Sequence, residues 1–128
     1  MSITGPTGVE IRLVGLLHFD GDVLAHIDSG FHLPDRSLLE VVGATGSIRV
    51  HDPWHCVEPS LEILRQGRPT VIETFPAISS YQLELEEFAY AIRGEPTRLL
   101  GRDDALGQAV TIAGLYQAAQ ERRTVSLA

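Results

Sequence analysis

The sequence predicts an α+β fold, a predominantly antiparallel open β-sheet followed by two C-terminal helices that cover one of its faces. Three observations carry this. Apolar and β-branched segments separated by glycine turns fill the chain as far as Phe75, helical spacing takes over after Ser79, and the first two strands are partly apolar on both faces. Two helices shield one face of such a sheet, so the other face is expected to pair with a second copy, most simply as a two-fold homodimer. A length of 128 residues leaves room for one domain, residues 1–128, and none for a nucleotide-binding domain beside it.

Glu10 to Asp20 reads as a strand because it is rich in apolar and β-branched residues and free of proline. Ile11, Leu13, Leu17 and Phe19 share one face, while Arg12, Val14, Leu16 and His18 share the other. Asp20-Gly21-Asp22 is a hairpin turn that returns the chain along Val23 to His32, since glycine takes the positive φ a tight connection requires. After Pro34 and Asp35 the pattern resumes at Ser37 to Val42, turns at Thr45-Gly46 and runs on through Ser47 to Val50. His51 to Pro59 is irregular, and Ser60 to Arg65 with Thr70 to Phe75 form a third hairpin around Gln66-Gly67-Arg68-Pro69. The period then changes: Ser79 or Ser80 caps a helix, Gln82 completes a capping box, Tyr81, Leu85, Phe88 and Ile92 form its apolar stripe, and Gly94 ends it before Pro96. A second helix is expected from Asp103 or Asp104 to about Arg123, with Leu106, Val110, Ala113 or Gly114, and Tyr116 or Gln117 on its inner face. Val125 to Leu127 would add an edge strand.

Composition removes whole classes of function. Seventeen acidic against ten basic residues give a net charge of −7 with no basic stripe, which excludes nucleic acid as the expected partner. All ten basic residues are arginine, so Schiff-base lysines, lysine general bases and the P-loop ammonium are absent. No apolar run approaches the roughly 20 residues needed to cross a bilayer, and Met1 to Gly8 has no secretory pattern, so a cytoplasmic location is expected. The single Cys56 has no cysteine to pair with.

The hairpin from Leu16 to Asp28, the segment from Leu39 to Val50 with its Gly43-Ala44-Thr45-Gly46 turn, the helix bearing Phe88-Ala89-Tyr90-Ala91-Ile92-Arg93-Gly94, and Gly101-Arg102-Asp103-Asp104-Ala105-Leu106 occur in one order and spacing. In that order they resemble the later part of the C-terminal domain of the Gfo/Idh/MocA oxidoreductases. The resemblance covers nearly the whole chain. It implies an open sheet that lines the substrate side of the active site and carries the oligomer interface, in a parent enzyme that oxidises sugars or polyols with NAD(P).

The departures from that family assign the chemistry elsewhere. No G-x-G-x-x-G is present, and the family's active-site lysine cannot exist in a lysine-free chain. Asp28 and His32 imitate the four-residue Asp/His spacing of a family helix, but on a strand four residues span about 13 Å, so that helix is expected upstream of Met1. The chain is therefore expected to hold no catalytic residue, no cofactor and no metal of its own, with NAD(P) carried by a separate nucleotide-binding domain or subunit.

The contributors to a substrate side are His32, Arg36, His51 and Trp54; the planar fork of Arg36 suits hydroxyl or carboxylate groups. His51-Asp52-Pro53-Trp54-His55-Cys56 concentrates metal-ligand types, but Pro53 forbids the helix that would align them. The plainer account anchors Trp54 in an apolar slot, leaving solvated histidines and a partly buried thiol. His18 and His26 on facing strands are expected to meet a partner chain, where their protonation would loosen a dimer. Glu84 and Glu87 read as a solvated helix face. Two rival functions remain, a stand-alone protein-binding or assembly subunit and a small sugar lyase or isomerase built on His26, Asp28 and His32.

Overall fold

A computed structural model describes residues 1–127. In chain order its elements are β1 (Ser2–Thr4), β2 (Glu10–Phe19), β3 (Val23–Gly30), β4 (Leu38–Gly43), β5 (Gly46–His51), β6 (Ser60–Arg65), β7 (Val71–Thr74), α1 (Ser80–Ile92) and α2 (Arg102–Glu121). They divide into two compact units, one made of Met1–Pro34 with the chain from Leu100 onward, the other of Asp35–Leu99. The α+β class and the open antiparallel sheets are as predicted. The expected single sheet is instead two, in the orders β1-β2-β3 and β4-β5-β6-β7. Pro34, which has no N–H to give a ladder, stands in the irregular segment between β3 and β4.

In the first unit β2 and β3 pair in antiparallel register, with Gly15 opposite Ile27, Leu16 opposite His26 and His18 opposite Leu24. The Asp20-Gly21-Asp22 connection carries positive φ at Gly21 (76°) and Asp22 (60°). β1 is a strand that the sequence pattern missed, three residues long and interrupted by a register shift between Ile3 and Thr4. A Cβ on Gly15 would lie 2.7 Å from Leu115 Cδ2 and 3.3 Å from Ile27 Cγ1. Glycine there admits Leu115, so the Ile11, Leu13 and Leu17 face lies under α2. On α2, Gly114 is fully buried, and Leu127 fills the space that a Cβ on it would need.

The inward face of α2 is only partly the one predicted, with Gly114 alone of the expected set buried. Thr111, Gly114, Leu115 and Ala118 turn inward, whereas Leu106, Val110 and Tyr116 stay largely exposed. Close approach selects small residues, and these carry little hydrophobic periodicity. The Tyr116 hydroxyl bonds the Glu10 carboxylate, which raises the tyrosine pKa first through that bond and then through the carboxylate charge. Asp103 and Asp104 lie in the first turn as dipole partners, but the N-cap is Gly101, without a side-chain bond. Val125–Leu127 form no strand.

In the second unit four antiparallel strands form a meander. Gly43 and Gly46 close the Ala44-Thr45 turn, and a Cβ on Gly46 would run into the Leu64 carbonyl oxygen, so β5 can lie this close to β6 only with glycine there. Ser79 caps α1 by accepting from the Gln82 N–H at 3.3 Å. The Gln82 side chain reaches forward to Glu86 at 2.7 Å, so only half of the predicted capping box forms. At the other end Gly94 adopts φ +70°, donating to Ala91 O (3.1 Å) while Glu95 donates to Tyr90 O (3.0 Å), the two-bond Schellman closure. Tyr81, Leu85, Phe88 and Ile92 remain exposed along α1. Among the described residues only Gly114 is fully buried.

Two glycines of α2 give opposite expectations. Nothing lies within 4 Å of a Cβ on Gly107, whereas one on Gly114 displaces Leu127. Gly107→Ala is therefore expected to stabilise the first unit by about 0.5–1 kcal/mol in urea unfolding. Gly114→Ala gives no gain or a loss, because the same helical advantage is set against the displaced leucine.

Candidate functional site

The segment after β5 is organised by one carboxylate. Asp52 adopts φ 50°, and its side chain accepts the backbone N–H groups of Val57 (2.5 Å), His55 (3.3 Å) and Glu58 (3.3 Å). Its carbonyl accepts from Cys56 N at 3.3 Å, with Cys56 also left-handed at φ 55°. These donors, Val57 foremost, hold the Asp52 carboxyl below its ordinary value. The turn projects Trp54 outward, 62% exposed, in place of the apolar slot expected for it. His55 Nδ1 stands 3.6 Å from Asp52 Oδ1, and Cys56 is half-buried. Among the described residues no three His, Cys, Asp or Glu side chains converge as a metal-ligand group.

His51 closes a polar row that sequence reasoning missed. Glu40, Arg49 and Glu62 are directly opposed on three neighbouring strands. Arg49 donates from Nε to Glu40 Oε1 at 2.7 Å and from Nη1 to Glu62 Oε2 at 3.3 Å, which raises its pKa, chiefly through Glu40. His51 Nε2 lies 3.7 Å from Glu62 Oε2. A signal was available, because Glu40 and Arg49 are equidistant from the Gly43/Gly46 closing pair, which sets them opposite once the turn is placed.

The candidates do not fall in one unit. His32 belongs to the first unit, while Arg36, His51 and Trp54 belong to the second. In the bend after β3, His32 Nε2 accepts from Arg12 Nε (3.0 Å) and Nη2 (2.7 Å). A guanidinium can only donate, so this ring nitrogen is the unprotonated one. Arg12 is a second partner that the sequence did not single out. His26 and Asp28 lie on the same face of β3 as each other, opposite Leu16 and Val14. His18 and His26 are diagonal neighbours, and His18 Nε2 is 3.9 Å from Asp22 Oδ1.

Glu87 also departs from its expected role as part of a solvated face. It accepts from the Arg98 N–H at 2.7 Å and from Thr97 Oγ1 at 2.8 Å, pinning the segment that follows α1. Those bonds, the Arg98 N–H first, lower its pKa.

Because the folded pKa of Asp52 is depressed, the turn's stabilisation is present above the ordinary carboxylate range and is lost as pH falls through the lower folded value. Trp54 emission is therefore expected to stay constant from pH 7 to about 4, near the unperturbed aspartate pKa, and to change only below it. Asp52→Ala should show the acid-type emission already at pH 7. An Asp52→Ala spectrum identical to the parent would remove the carboxylate from this role.

No protein-family model matches the chain. The chain is 29% identical over 128 residues to D-xylose 1-dehydrogenase (NADP(+)) 2 of Haloferax volcanii, an alignment that covers 97% of this chain and 39% of that protein. It is thus similar to part of an NADP-dependent sugar oxidoreductase and spans about two fifths of that relative's length.

Proposed function

We propose that the chain is a C-terminal, substrate-side and oligomerisation domain of an NAD(P)-dependent oxidoreductase of sugars or related polyols, and that alone it transfers no hydride. The observation that carries this reading is the match along nearly the whole chain to part of a sugar dehydrogenase. Each unit carries its own substrate-side candidates. In the first, His32 is oriented by Arg12. In the second, Arg36 offers a fork, His51 ends the Glu40–Arg49–Glu62 row, and Trp54 presents an exposed ring from a clamped turn.

The residues present do not fit a dinucleotide. A pyrophosphate is held where a strand turns through glycines into a helix. Gly43-Ala44-Thr45-Gly46 instead closes a hairpin, and α2 follows irregular chain. NAD(P) is therefore assigned to a separate nucleotide-binding domain or subunit. For oligomerisation the support is the face of β2 and β3 turned away from α2, where Leu16 is 77% and Leu24 75% exposed. The same face suits a stand-alone assembly subunit. A lyase on His26, Asp28 and His32 is less well supported, because the Nε2 of His32 already accepts from Arg12.

Light scattering and coenzyme titration separate these readings. A homodimer through the open face should give twice the chain mass, and Leu16→Asp with Leu24→Asp should halve it. NADPH added to the chain alone should leave Trp54 emission unchanged, apart from optical absorption. Saturable quenching of Trp54 by NADPH would overturn the assignment of the coenzyme to another domain. A mass unaffected by the paired substitutions would remove the open face as the interface.

A further inference from the structure

We propose that the turn end of the four-stranded sheet binds a phosphate group. There the β4–β5 and β6–β7 turns frame a shallow, open depression of about 420 Å³. Its lining includes Arg65, Arg68, Thr45, Ser47, Thr70 and Gln66, and none of the eleven lining residues is acidic. In a chain with seventeen acidic side chains and a net charge of −7, this is a local inversion of charge. It lies at the Gly46 end of β5, and His51 lies at the other end, about 17 Å away at the rise of a strand.

Arg65 and Arg68 both line this one depression and neither is paired, a lack of partners they share, among the described residues, with Arg102 and Arg122. Arg12 is bonded to His32, Arg49 to two glutamates, Arg93 to Glu95 and Arg123 to Glu121. Among the described residues neither the Arg65 nor the Arg68 side chain has a hydrogen-bond or ion-pair partner, and both are exposed. A guanidinium offers paired N–H donors that match two oxygens of a phosphate, and the neighbouring hydroxyls and the Gln66 amide supply further donors. The shared chemistry is a phosphate dianion, whether free or esterified to a small polyol. This inference does not depend on the chain's place in an oxidoreductase.

The test is a titration of the full chain, followed by amide NMR at constant ionic strength, with inorganic phosphate, with ribose 5-phosphate and with ribose alone. Saturable shifts are expected at Thr45, Ser47, Gln66, Arg68 and Thr70, with a dissociation constant on the order of 1 mM for so open a site. Affinity should rise several-fold from pH 5 to pH 7, because phosphate loses its second proton near pH 6 while guanidinium stays charged. Arg65→Gln with Arg68→Gln should weaken binding at least tenfold and leave other resonances in place, both positions being exposed; the single Arg68→Gln should fall between. Tighter binding of ribose 5-phosphate assigns the site to an ester, and equal binding assigns it to free phosphate. Shifts that fail to saturate, that spread over the other arginines, or that survive the double substitution overturn the proposal, as does equal binding of ribose alone.

Discussion

A strand sends successive side chains to opposite faces, and in the first sheet both faces carry apolar residues. Ile11, Leu13 and Leu17 face α2, and Val14, Leu16 and Leu24 face away from it. α2 covers the first set and leaves the second open. Removing a leucine side chain from water is worth about 1.5–3 kcal/mol, in domains whose whole margin is roughly 5–15 kcal/mol. Covering three or four such residues is therefore comparable to the stability of the fold itself. The open face of β2 and β3 is thus the constraint that the first unit leaves unmet, and the proposed oligomerisation rests on it.

The second unit solves the two-face problem differently. Leu39, Val41, Ile48, Val50, Leu61 and Ile63 share one face, while Glu40, Arg49 and Glu62 run across the other. Partly exposed ion pairs add little stability. Their consequence is register, since a one-residue slip of β5 would carry Arg49 onto the apolar face and strand both glutamates. The close pass of Gly46 beneath Leu64 acts in the same direction, because no other residue fits there. The meander is held in register by charge and by the absence of a side chain at one point.

What was legible in the sequence was local. The strand from Glu10, the Asp20-Gly21-Asp22 turn, the Ser79 cap and the Gly94 stop each depend on a few adjacent residues and stand where their chemistry put them. What was not legible depends on residues far apart in the chain. The inner face of α2 is chosen by Gly15 and Leu127, which meet positions far from them in the chain, and small side chains leave no hydrophobic stripe to read. β1 is too short for a period. Arg12 with His32, and Arg49 with Glu62, are pairings of register that no local motif announces. Of the candidate site, the residue types were visible, but their division between two units was not.

The Asp52 turn shows how much of a site can lie in a residue whose hydrogen bonds all go to backbone. Asp52 was singled out with the histidines and the thiol for its ligand chemistry, yet its oxygens are engaged by three N–H groups of the same turn. Two non-glycine residues in it, Asp52 and Cys56, occupy the left-handed region, which costs of order 1 kcal/mol or more each. Such a conformation persists only where bonds over-determine it. The result is an exposed indole whose backbone is already fixed, so a surface that meets Trp54 loses little further conformational entropy on contact. A flexible loop would present the same ring at a greater entropic cost. That difference is set by Asp52 rather than by Trp54, and the proposed substrate-side role of Trp54 draws on it.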